Sequence, residues 1–167
     1  LEDGSLIQAD SILLATGSNV APLPLPSLES IKPWTSDDVL DLKRLPASII
    51  VLGGGPVALE LAQFFLRFGV KTTLIQRSKQ LLSGFDEDIA YPLQQALEEE
   101  GMQIYTHTQL LSASRKGGMD CITFEHEGKT REVYAEAVLH GLGRVPNLGS
   151  LNLEKAGLNL KQGRLNT

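Results

Sequence analysis

Residues 49–60 read IIVLGGGPVALE, an apolar run, three glycines, a proline and a second apolar stretch that ends in a carboxylate. The run Ser48–Leu52 is rich in β-branched residues, as in parallel strands that are buried on both faces. Residues 56–68 have the composition of a helix, and Gly69 is expected to end it. The stretch therefore predicts a strand, a tight glycine turn and a helix in direct succession.

The segment Gly53-Gly54-Gly55-Pro56-Val57-Ala58 fits the G-x-G-x-x-A pattern of dinucleotide-binding turns. Gly53 permits the tight turn, Gly55 lets the backbone approach a pyrophosphate, and Ala58 lets the helix pack closely on the strand. The free N–H groups and the dipole of the helix start favour anionic phosphates, and Pro56 suits the first helical turn. A tight turn without a ligand is the alternative, but the flanking strand and helix favour a dinucleotide.

The end of the second predicted strand, Lys71–Ile75, bears on the choice of nucleotide. NAD-selective sites place an acid there for the ribose 2′-hydroxyl, whereas here Gln76 occupies that position and Arg77 follows it. A carboxylate would repel a 2′-phosphate, while Arg77 pairs with one through charge-assisted hydrogen bonds, assisted by Ser78 and Lys79. NADP is therefore the predicted nucleotide and NAD the alternative, in which Arg77 is a solvated surface residue.

The rest of the chain predicts an α/β fold, a Rossmann-like three-layer domain with a parallel βαβαβ sheet and an antiparallel β-meander. A helix is expected from Asp86 to about Glu100, and Pro92 inside it predicts a kink or a later start. Before the strand at 48–52, we expect a strand at 6–14 with a turn at 15–19, an extended proline-rich connector at 21–30 and a short helix capped by Thr35 or Ser36. After the long helix, we expect a third strand at 102–108 and meander strands at 110–116, 121–127 and 130–136. A last strand at 137–142 and an irregular tail from 151 complete the expected elements. The expected apolar face of the long helix comprises Ile89, Leu93, Ala96 and Leu97.

Composition excludes several classes of function. The 167 residues carry 15 Lys and Arg against 20 Asp and Glu, and the net charge is −5 without a basic block for nucleic acid or anionic membranes. No apolar run is long enough to predict a transmembrane helix. The single cysteine, Cys121, excludes an internal disulfide framework and a Cys-rich zinc site, so it is expected to be a small buried side chain in a reducing, cytoplasmic protein. His107, His126 and His140 are interpreted as surface or core residues.

Three segments, in this order, resemble the pyridine nucleotide-disulfide oxidoreductases, a family that includes lipoamide dehydrogenase, glutathione reductase and mercuric reductase. They are ILLATGSNVAPLP at 12–24, IIVLGGGPVALELAQFFLRFGV at 49–70 and HGLGRVPN at 140–147. The resemblance implies that residues 1–20 leave an FAD domain, that 21–142 form the NAD(P)-binding domain, and that 143–167 return toward the FAD domain. It further implies that the chain is a piece of a longer protein.

The resemblance also implies roles for individual residues. Glu60 matches a glutamate that pairs with a lysine beside the flavin, and is the candidate catalytic residue. Gly143 matches a glycine close to the bound nucleotide, and Gly141 joins it as a candidate cofactor-binding residue. Two departures are Pro56, where several members carry a tyrosine over the nicotinamide pocket, and Ser83, where some NADP-using members carry a second arginine.

The expected function is that of an NAD(P)H-binding domain that orients nicotinamide for hydride transfer to FAD in a disulfide oxidoreductase. The FAD and dimerisation domains, the redox-active cysteine pair and the catalytic base are expected outside this chain, so the fragment alone should bind nucleotide without turnover. One alternative is that the turn holds FAD, although FAD-type turns carry an acid where Gln76 stands. Another is a non-catalytic nucleotide-binding or redox-sensing module with the same fold.

Overall fold

The computed structural model describes residues 4–161 and 163–165. Their contacts divide the chain into two units, one comprising Ala21–Gly143 and the other the residues before and after that range. The elements in chain order are β1 (Ser18–Val20), α1 (Pro26–Ile31), α2 (Ser36–Leu40), β2 (Ser48–Leu52), α3 (Pro56–Arg67), β3 (Lys71–Ile75), α4 (Glu87–Glu99), β4 (Gln103–Tyr105), β5 (Thr108–Lys116), β6 (Met119–His126), β7 (Lys129–Ala135), β8 (Ala137–His140), β9 (Arg144–Pro146), a 3-10 helix (Leu153–Ala156), β10 (Leu160–Lys161) and β11 (Arg164–Leu165).

Four strands of the Ala21–Gly143 unit form a parallel sheet in the order β4-β3-β2-β8. β2 is one of the two inner strands, and its Ile49 pairs with Thr72 of β3 on one side and with Ala137 of β8 on the other. Because all four strands are parallel, their carboxyl ends lie at one edge of the sheet. The strand bounds predicted for β2 and β3 are confirmed, and the strand predicted at 137–142 ends earlier, at His140.

Both faces of the parallel sheet are buried. Ile49 and Val51 of β2 pack into one apolar cluster, whose buried helical members are Val39 of α2, Ala58, Leu59, Ala62 and Phe65 of α3 and Leu97 of α4. Ile50 and Leu52, which point the other way, pack into a second cluster with Leu28 and Ile31 of α1 and with Ile122 and Phe124 of β6. The predicted α/β class, a parallel sheet with an antiparallel meander, is therefore confirmed.

The meander is a three-stranded antiparallel sheet in the order β5-β6-β7. Its two turns use left-handed residues, Gly117 with Gly118 in the first and Glu127 with Gly128 in the second. Cys121 in β6 is fully buried, as predicted. The carboxylate of buried Asp120 accepts two hydrogen bonds from the guanidinium of Arg115, at 2.7 and 3.0 Å, so its charge is matched inside the fold.

Thr35 caps α2, as one of the two predicted alternatives, and Ser36 is the first residue of the helix. The Thr35 hydroxyl accepts a hydrogen bond from the backbone N–H of Asp38, whose carboxylate in turn accepts one from the backbone N–H of Thr35 at 2.7 Å. This reciprocal capping box satisfies two donors of the helix start. The hydrogen bonds from Thr35 to the carboxylate lower the pKa of Asp38 below its ordinary value.

Two predictions for the segment before β2 are wrong. Residues 6–14 form no strand, because none of the described residues pairs with them and a strand without a ladder leaves its backbone groups to water. Residues 21–30 are extended only as far as Leu25, since α1 begins at Pro26. Proline is well tolerated at the first helical position, so the third proline of the run starts a helix rather than continuing the connector.

Two of the four residues predicted for the apolar face of α4, Ile89 and Ala96, are exposed. Ala90 and Leu97 are buried, Leu93 is half-buried, and Ile89 is 55% exposed. The helix already begins at Glu87, so the alternative of a later start is also wrong, and Pro92 lies inside it. The face turned to the core comprises Ala90, Leu93 and Leu97, at a spacing of i, i+3, i+7. In the sequence, Ile89 is a more apolar candidate than its neighbour Ala90, so the face was predicted to begin one residue too early.

The second unit is built on an antiparallel pair of strands, β1 and β9. Beside this pair, the Thr16 hydroxyl donates to the carbonyl of Asn147 at 2.7 Å, and the Asn147 N–H donates to the carbonyl of Gly17 at 3.0 Å. The turn predicted at 15–19 thus gives way to a strand from Ser18. The tail, predicted as irregular, contains the 3-10 helix and the small hairpin β10–β11.

Glu136 joins the connection before β2 to the start of β8, and its removal should change acid stability. Its carboxylate accepts hydrogen bonds from the backbone N–H of Ala47 at 2.6 Å and from Arg44 at 2.7 Å. The Ala47 bond, followed by the Arg44 charge, lowers the pKa of Glu136 below its ordinary value of 4.5. Because the folded pKa is depressed, this stabilisation is present above the unfolded pKa and is lost as pH falls through the folded one.

We therefore expect Glu136→Gln to lower the free energy of unfolding at neutral pH and to flatten its decline below about pH 4.5. Urea denaturation at a series of pH values measures both effects. Glu99→Gln is the matched control, because Glu99 is exposed on α4 and its carboxylate has no hydrogen bond or ion pair among the described residues. Identical acid profiles for wild type and Glu136→Gln would contradict the prediction.

Candidate functional site

The candidate site lies at the carboxyl edge of the parallel sheet, where the four strands end. The turn Gly53–Gly55, called the glycine turn below, crosses this edge between β2 and α3. The backbone N–H of Gly53 donates to the carbonyl of Ile75 at 2.9 Å, and the N–H of Gly141 donates to the carbonyl of Leu52 at 2.8 Å. These bonds continue the ladders of β2 with β3 and β8 by one residue beyond the strands. They hold three chain segments together beneath the start of α3.

Gly53 and Gly141 are required by packing. Gly53 has a φ of +108°, and a Cβ placed on it would lie 2.2 Å from the carbonyl oxygen of Gly141. A Cβ on Gly141 would lie 2.7 Å from the Cβ of Ala58 and 3.0 Å from the carbonyl oxygen of Leu52. Gly141, taken from the sequence as a candidate cofactor-binding residue, thus lies directly against the start of α3. Ala58 is the small side chain that this approach requires.

Gly55 differs from the other two glycines because the space beside it is open. Its φ is −83°, which any residue adopts, and a Cβ there would have no atom within 4 Å outside its chain neighbours. Gly55 is the N-cap of α3, and the first helical hydrogen bond runs from Leu59 to its carbonyl at 3.0 Å. The N–H groups of Val57 and Ala58 precede that bond and have no partner within the helix.

The start of α3 is accessible and carries no acidic residue in its first turn. Pro56 occupies the first helical position, as predicted, and the side chain of Val57 is 47% exposed. The partial positive charge of a helix N-terminus is therefore not offset by a carboxylate here. An anion could approach Gly55 as closely as the glycine backbone allows.

Gln76 is a packing residue of the turn as well as a candidate ribose contact. Only 9% of it is exposed, and a Cβ on Gly54 would lie 3.1 Å from its amide carbon. Its amide donates to the carbonyl of Gln80 at 3.4 Å, and its backbone N–H donates to the carbonyl of Tyr105 at 2.7 Å. The side chain therefore lies across the turn instead of extending into solvent.

The loop after β3 is fastened to the glycine turn by residues that the sequence reasoning missed. The N–H of Leu82 donates to the carbonyl of Gly54 at 2.7 Å, and Leu81 is fully buried beside the same glycine. The pair of leucines between the polar residues Gln80 and Ser83 was the available signal. This attachment links the turn to the segment that carries Arg77.

The cationic side chains beyond β3 are free in the part of the chain that the structure describes. Arg77 and Lys79 are exposed, and neither has an ion pair or a hydrogen bond from its side chain there. Ser78 is half-buried, and its carbonyl accepts a hydrogen bond from the N–H of His107 at 2.8 Å. Arg77, Ser78 and Gln76 thus lie consecutively at the edge that the glycine turn also occupies.

The other candidate residues lie along α3 and after β8. Glu60 is exposed on α3, one turn beyond Pro56. Gly143 has a φ of +118° with open space around it, and its carbonyl accepts a hydrogen bond from Ala21 at 3.0 Å. His140 is a core residue, because its Nε2 lies 2.8 Å from the carbonyl of Ala21 while its Nδ1 accepts from Leu142 at 3.3 Å.

Other features of the described residues are separate from this edge. A cavity of about 310 Å³ lies where β2, β3 and β4 begin, lined by Ser48, Lys71, Gln103 and residues of β7, at the opposite end of the sheet. Within residues 4–161 and 163–165, no group of three histidine, cysteine or acidic residues is placed to hold a metal ion. No helix among them is long and apolar enough to cross a membrane.

The fold and this edge define an α/β domain of the kind found in flavoprotein disulfide reductases. The sequence matches the family described as pyridine nucleotide-disulphide oxidoreductase over residues 1–167. The chain therefore belongs to the pyridine nucleotide-disulphide oxidoreductase family, as the three segments of sequence predicted.

Relatives and solved structures agree with this assignment. The chain is 34% identical to a mercuric reductase from Staphylococcus aureus, over 93% of this chain and 28% of that protein. It is 35% identical to the mitochondrial dihydrolipoyl dehydrogenase of Dictyostelium discoideum, over 95% of this chain and 34% of that protein. The Cu(II) complex of the HOCl-induced flavoprotein disulfide reductase RclA from Escherichia coli superimposes with a TM-score of 0.79 at 27% identity, covering 90% of this chain and 34% of that one. The chain thus spans about a third of the length of these proteins.

The different surroundings of Gly53 and Gly55 predict opposite effects of the same substitution on folding. Gly53→Ala should lower the free energy of unfolding by about 3 kcal/mol or more, because the left-handed φ is strained and the methyl group meets backbone. Gly55→Ala should change stability by less than about 1 kcal/mol, because its φ is ordinary and the space is open. Thermal and urea unfolding of the two variants test this directly. Equal destabilisation by both would mean that the turn is packed differently.

Proposed function

We propose that this chain is the NAD(P)H-binding domain of an FAD-dependent disulfide oxidoreductase. The observation that carries the proposal is the open backbone at Gly55, at the start of a helix and at the carboxyl edge of a parallel sheet. In open α/β sheets, ligands bind outside the carboxyl ends of the strands. Membership of the pyridine nucleotide-disulphide oxidoreductase family supports the same assignment.

The pyrophosphate of the nucleotide would lie against Gly55 and the start of α3. The unpartnered N–H groups of Val57 and Ala58 would donate to its oxygens, and the helix dipole would favour its charge. Gly53 and Gly141 would contribute indirectly, by allowing the strands and the helix to come close enough to form this edge. Gly143, whose surroundings are open, would lie near the same ligand.

The adenosine ribose would lie at the end of β3, beside Gln76, Arg77 and Ser78. No carboxylate stands at this position, and the guanidinium of Arg77 has no partner among the described residues. A 2′-phosphate would satisfy that guanidinium with charge-assisted hydrogen bonds. We therefore propose NADP(H) as the preferred nucleotide, with NAD(H) as the weaker ligand.

Glu60 would face the flavin side of the bound nucleotide. It lies on the exposed side of α3 with Phe64, and the ring of Phe68, directly after the helix, lies 4.7 Å from that of Phe64. The two phenylalanines are 39% and 64% exposed. Two exposed aromatic side chains in contact are unusual on a surface that contacts only solvent in the whole protein. Coverage of this side by the rest of the parent protein would bring the Glu60 carboxylate close to its flavin.

Residues 1–20 and 143–167 would connect this domain to the FAD domain of the parent. Exposed apolar side chains in residues 6–14, such as Leu6 and Leu13, support this role, because a strand-like apolar run needs neighbouring strands to bury it. When bound, reduced nicotinamide supplies the hydride that FAD accepts. The domain contributes binding and orientation, so we expect the isolated chain to bind nucleotide without turnover.

The redox-active cysteines and the dimerisation domain would belong to other parts of the parent protein. Cys121 is buried inside the meander and is a single thiol, so it cannot form a disulfide within this chain. A reducing, cytoplasmic setting is consistent with this cysteine usage. The partners of the domain would thus be a nicotinamide dinucleotide and the flavin and dimerisation domains, with no nucleic acid and no membrane.

Calorimetric titration with NADPH and with NADH at one salt concentration tests the proposed nucleotide. We expect NADPH to bind more tightly, and Arg77→Ala to weaken NADPH by about tenfold or more while leaving NADH within about twofold, because only NADPH carries the 2′-phosphate that the guanidinium would bind. Lys43→Ala is the matched control, since it removes an exposed cation remote in sequence from the site. Equal affinity for both nucleotides would withdraw the NADP assignment, and absence of binding to either would contradict the proposed function.

A further inference from the structure

The segment that follows β4 is fastened to the end of β3 by four hydrogen bonds. The N–H of Gln76 donates to Tyr105 at 2.7 Å, and the carbonyl of Gln76 accepts from the N–H and the hydroxyl of Thr108 at 3.2 and 3.0 Å. The N–H of His107 donates to the carbonyl of Ser78 at 2.8 Å. The backbone of His107 is therefore held directly beside the segment that contains Arg77.

His107 is the point at which this segment turns. Its φ is +52°, in the left-handed region that most residues with a side chain avoid, whereas Thr108 after it is buried and bonded to Gln76. The imidazole is exposed and has no hydrogen bond, ion pair or ring contact among the described residues. An unpartnered titratable group thus stands on a rigidly held backbone.

The charges around His107 are mainly positive. Arg77 and Lys79, on the loop to which it is bonded, are cations without an ion pair in the described part of the chain. On the other side, Thr108 and Gln109 pair with His126 and Glu125 of β6. The nearby carboxylate of Glu127 lies 3.6 Å from Arg131 and 3.7 Å from His126, so its charge is already opposed. Glu125 is the remaining acid on this side.

We propose that His107 is a further specificity-determining residue, which in its protonated form donates a hydrogen bond to the 2′-phosphate of the nucleotide beside Arg77. The inference rests on the proposed function and adds one residue to it, from the segment after β4 that is bonded to the loop carrying Arg77. The chemical group recognised is a phosphate monoester at the 2′ position of an adenosine ribose.

The proposal has a consequence for pH. An imidazole exchanges its proton between about pH 5 and 8, and a phosphate dianion beside it favours the protonated form. Binding of NADPH should therefore take up a proton near neutral pH, and the NADPH preference should grow as pH falls from about 8.5 to about 6.5. Below about pH 6 the phosphate itself becomes protonated, which works in the opposite direction, so measurements stay above that value.

The experiment measures the dissociation constants of NADPH and NADH at pH about 6.5 and about 8.5 for wild type, His107→Asn and His126→Gln. Asparagine tolerates the left-handed conformation, so His107→Asn keeps the backbone while removing the titratable group. His126→Gln is the matched control, because it removes a histidine of the adjacent β6 that faces Tyr105. Thermal unfolding of each variant reports whether the fold is kept.

We expect the ratio of the NADH to the NADPH dissociation constant to be about fivefold larger at the lower pH in wild type and in His126→Gln, and independent of pH in His107→Asn. Calorimetry in two buffers of different ionisation enthalpy should show proton uptake with NADPH only, and only when His107 is present.

A pH-dependent ratio that persists in His107→Asn, or a ratio that does not change with pH in wild type, would overturn the role of His107 while leaving the NADPH preference intact. If His107→Asn unfolds, the wild-type pH profile and proton uptake alone decide the question. Absence of binding of either nucleotide would overturn both this inference and the proposed function.

Discussion

The close approach of Gly53, Gly141 and Ala58 is the constraint on which the candidate site depends. At this point the backbones of β2 and β8 and the start of α3 come so near that a single added methyl group would lie 2.2 Å or 2.7 Å from a neighbouring atom. Strands of a parallel sheet otherwise carry bulky side chains, as Ile50 and Leu52 do only a few residues earlier. Because the glycines carry no side chains here, the chain can turn directly from a buried strand into a helix whose first two residues, Pro56 and Val57, are exposed.

The three glycines of the turn are therefore not equivalent. Gly53 is required by the fold, a Cβ on Gly54 would be crowded at 3.0 Å from Leu81 and 3.1 Å from Gln76, and only Gly55 borders open space. The Gly54 carbonyl also accepts the N–H of Leu82, which ties the turn to the loop that carries Arg77. A ligand that contacts both Gly55 and Arg77 would thus meet two parts of one hydrogen-bonded assembly, and little ordering would be needed on binding.

Much of this arrangement could be predicted from the sequence, because its signals are local. The bounds of β2 and β3, the start of α3 at Pro56 and the meander follow from apolar runs and glycine turns that need no knowledge of distant residues. What could not be predicted depends on pairing between distant segments. The run 6–14 has strand composition but no partner among the described residues, and Gln76 is buried by a turn more than 20 residues earlier. His107 gave no signal at all, because its position beside Ser78 arises from the parallel pairing of β3 with β4.

The most direct test of the central claim is to map the surface that binds NADPH by the chemical shifts of backbone amides. If the open edge is the binding site, adding NADPH to the isotopically labelled domain will shift the amides of Gly55, Val57 and Ala58 most, with a second group around Arg77 and Ser78. Amides at the opposite end of the sheet, such as Lys71 and Gln103 beside the cavity, will stay unchanged. Shifts concentrated around that cavity, with the amides of the glycine turn unaffected, would contradict the claim.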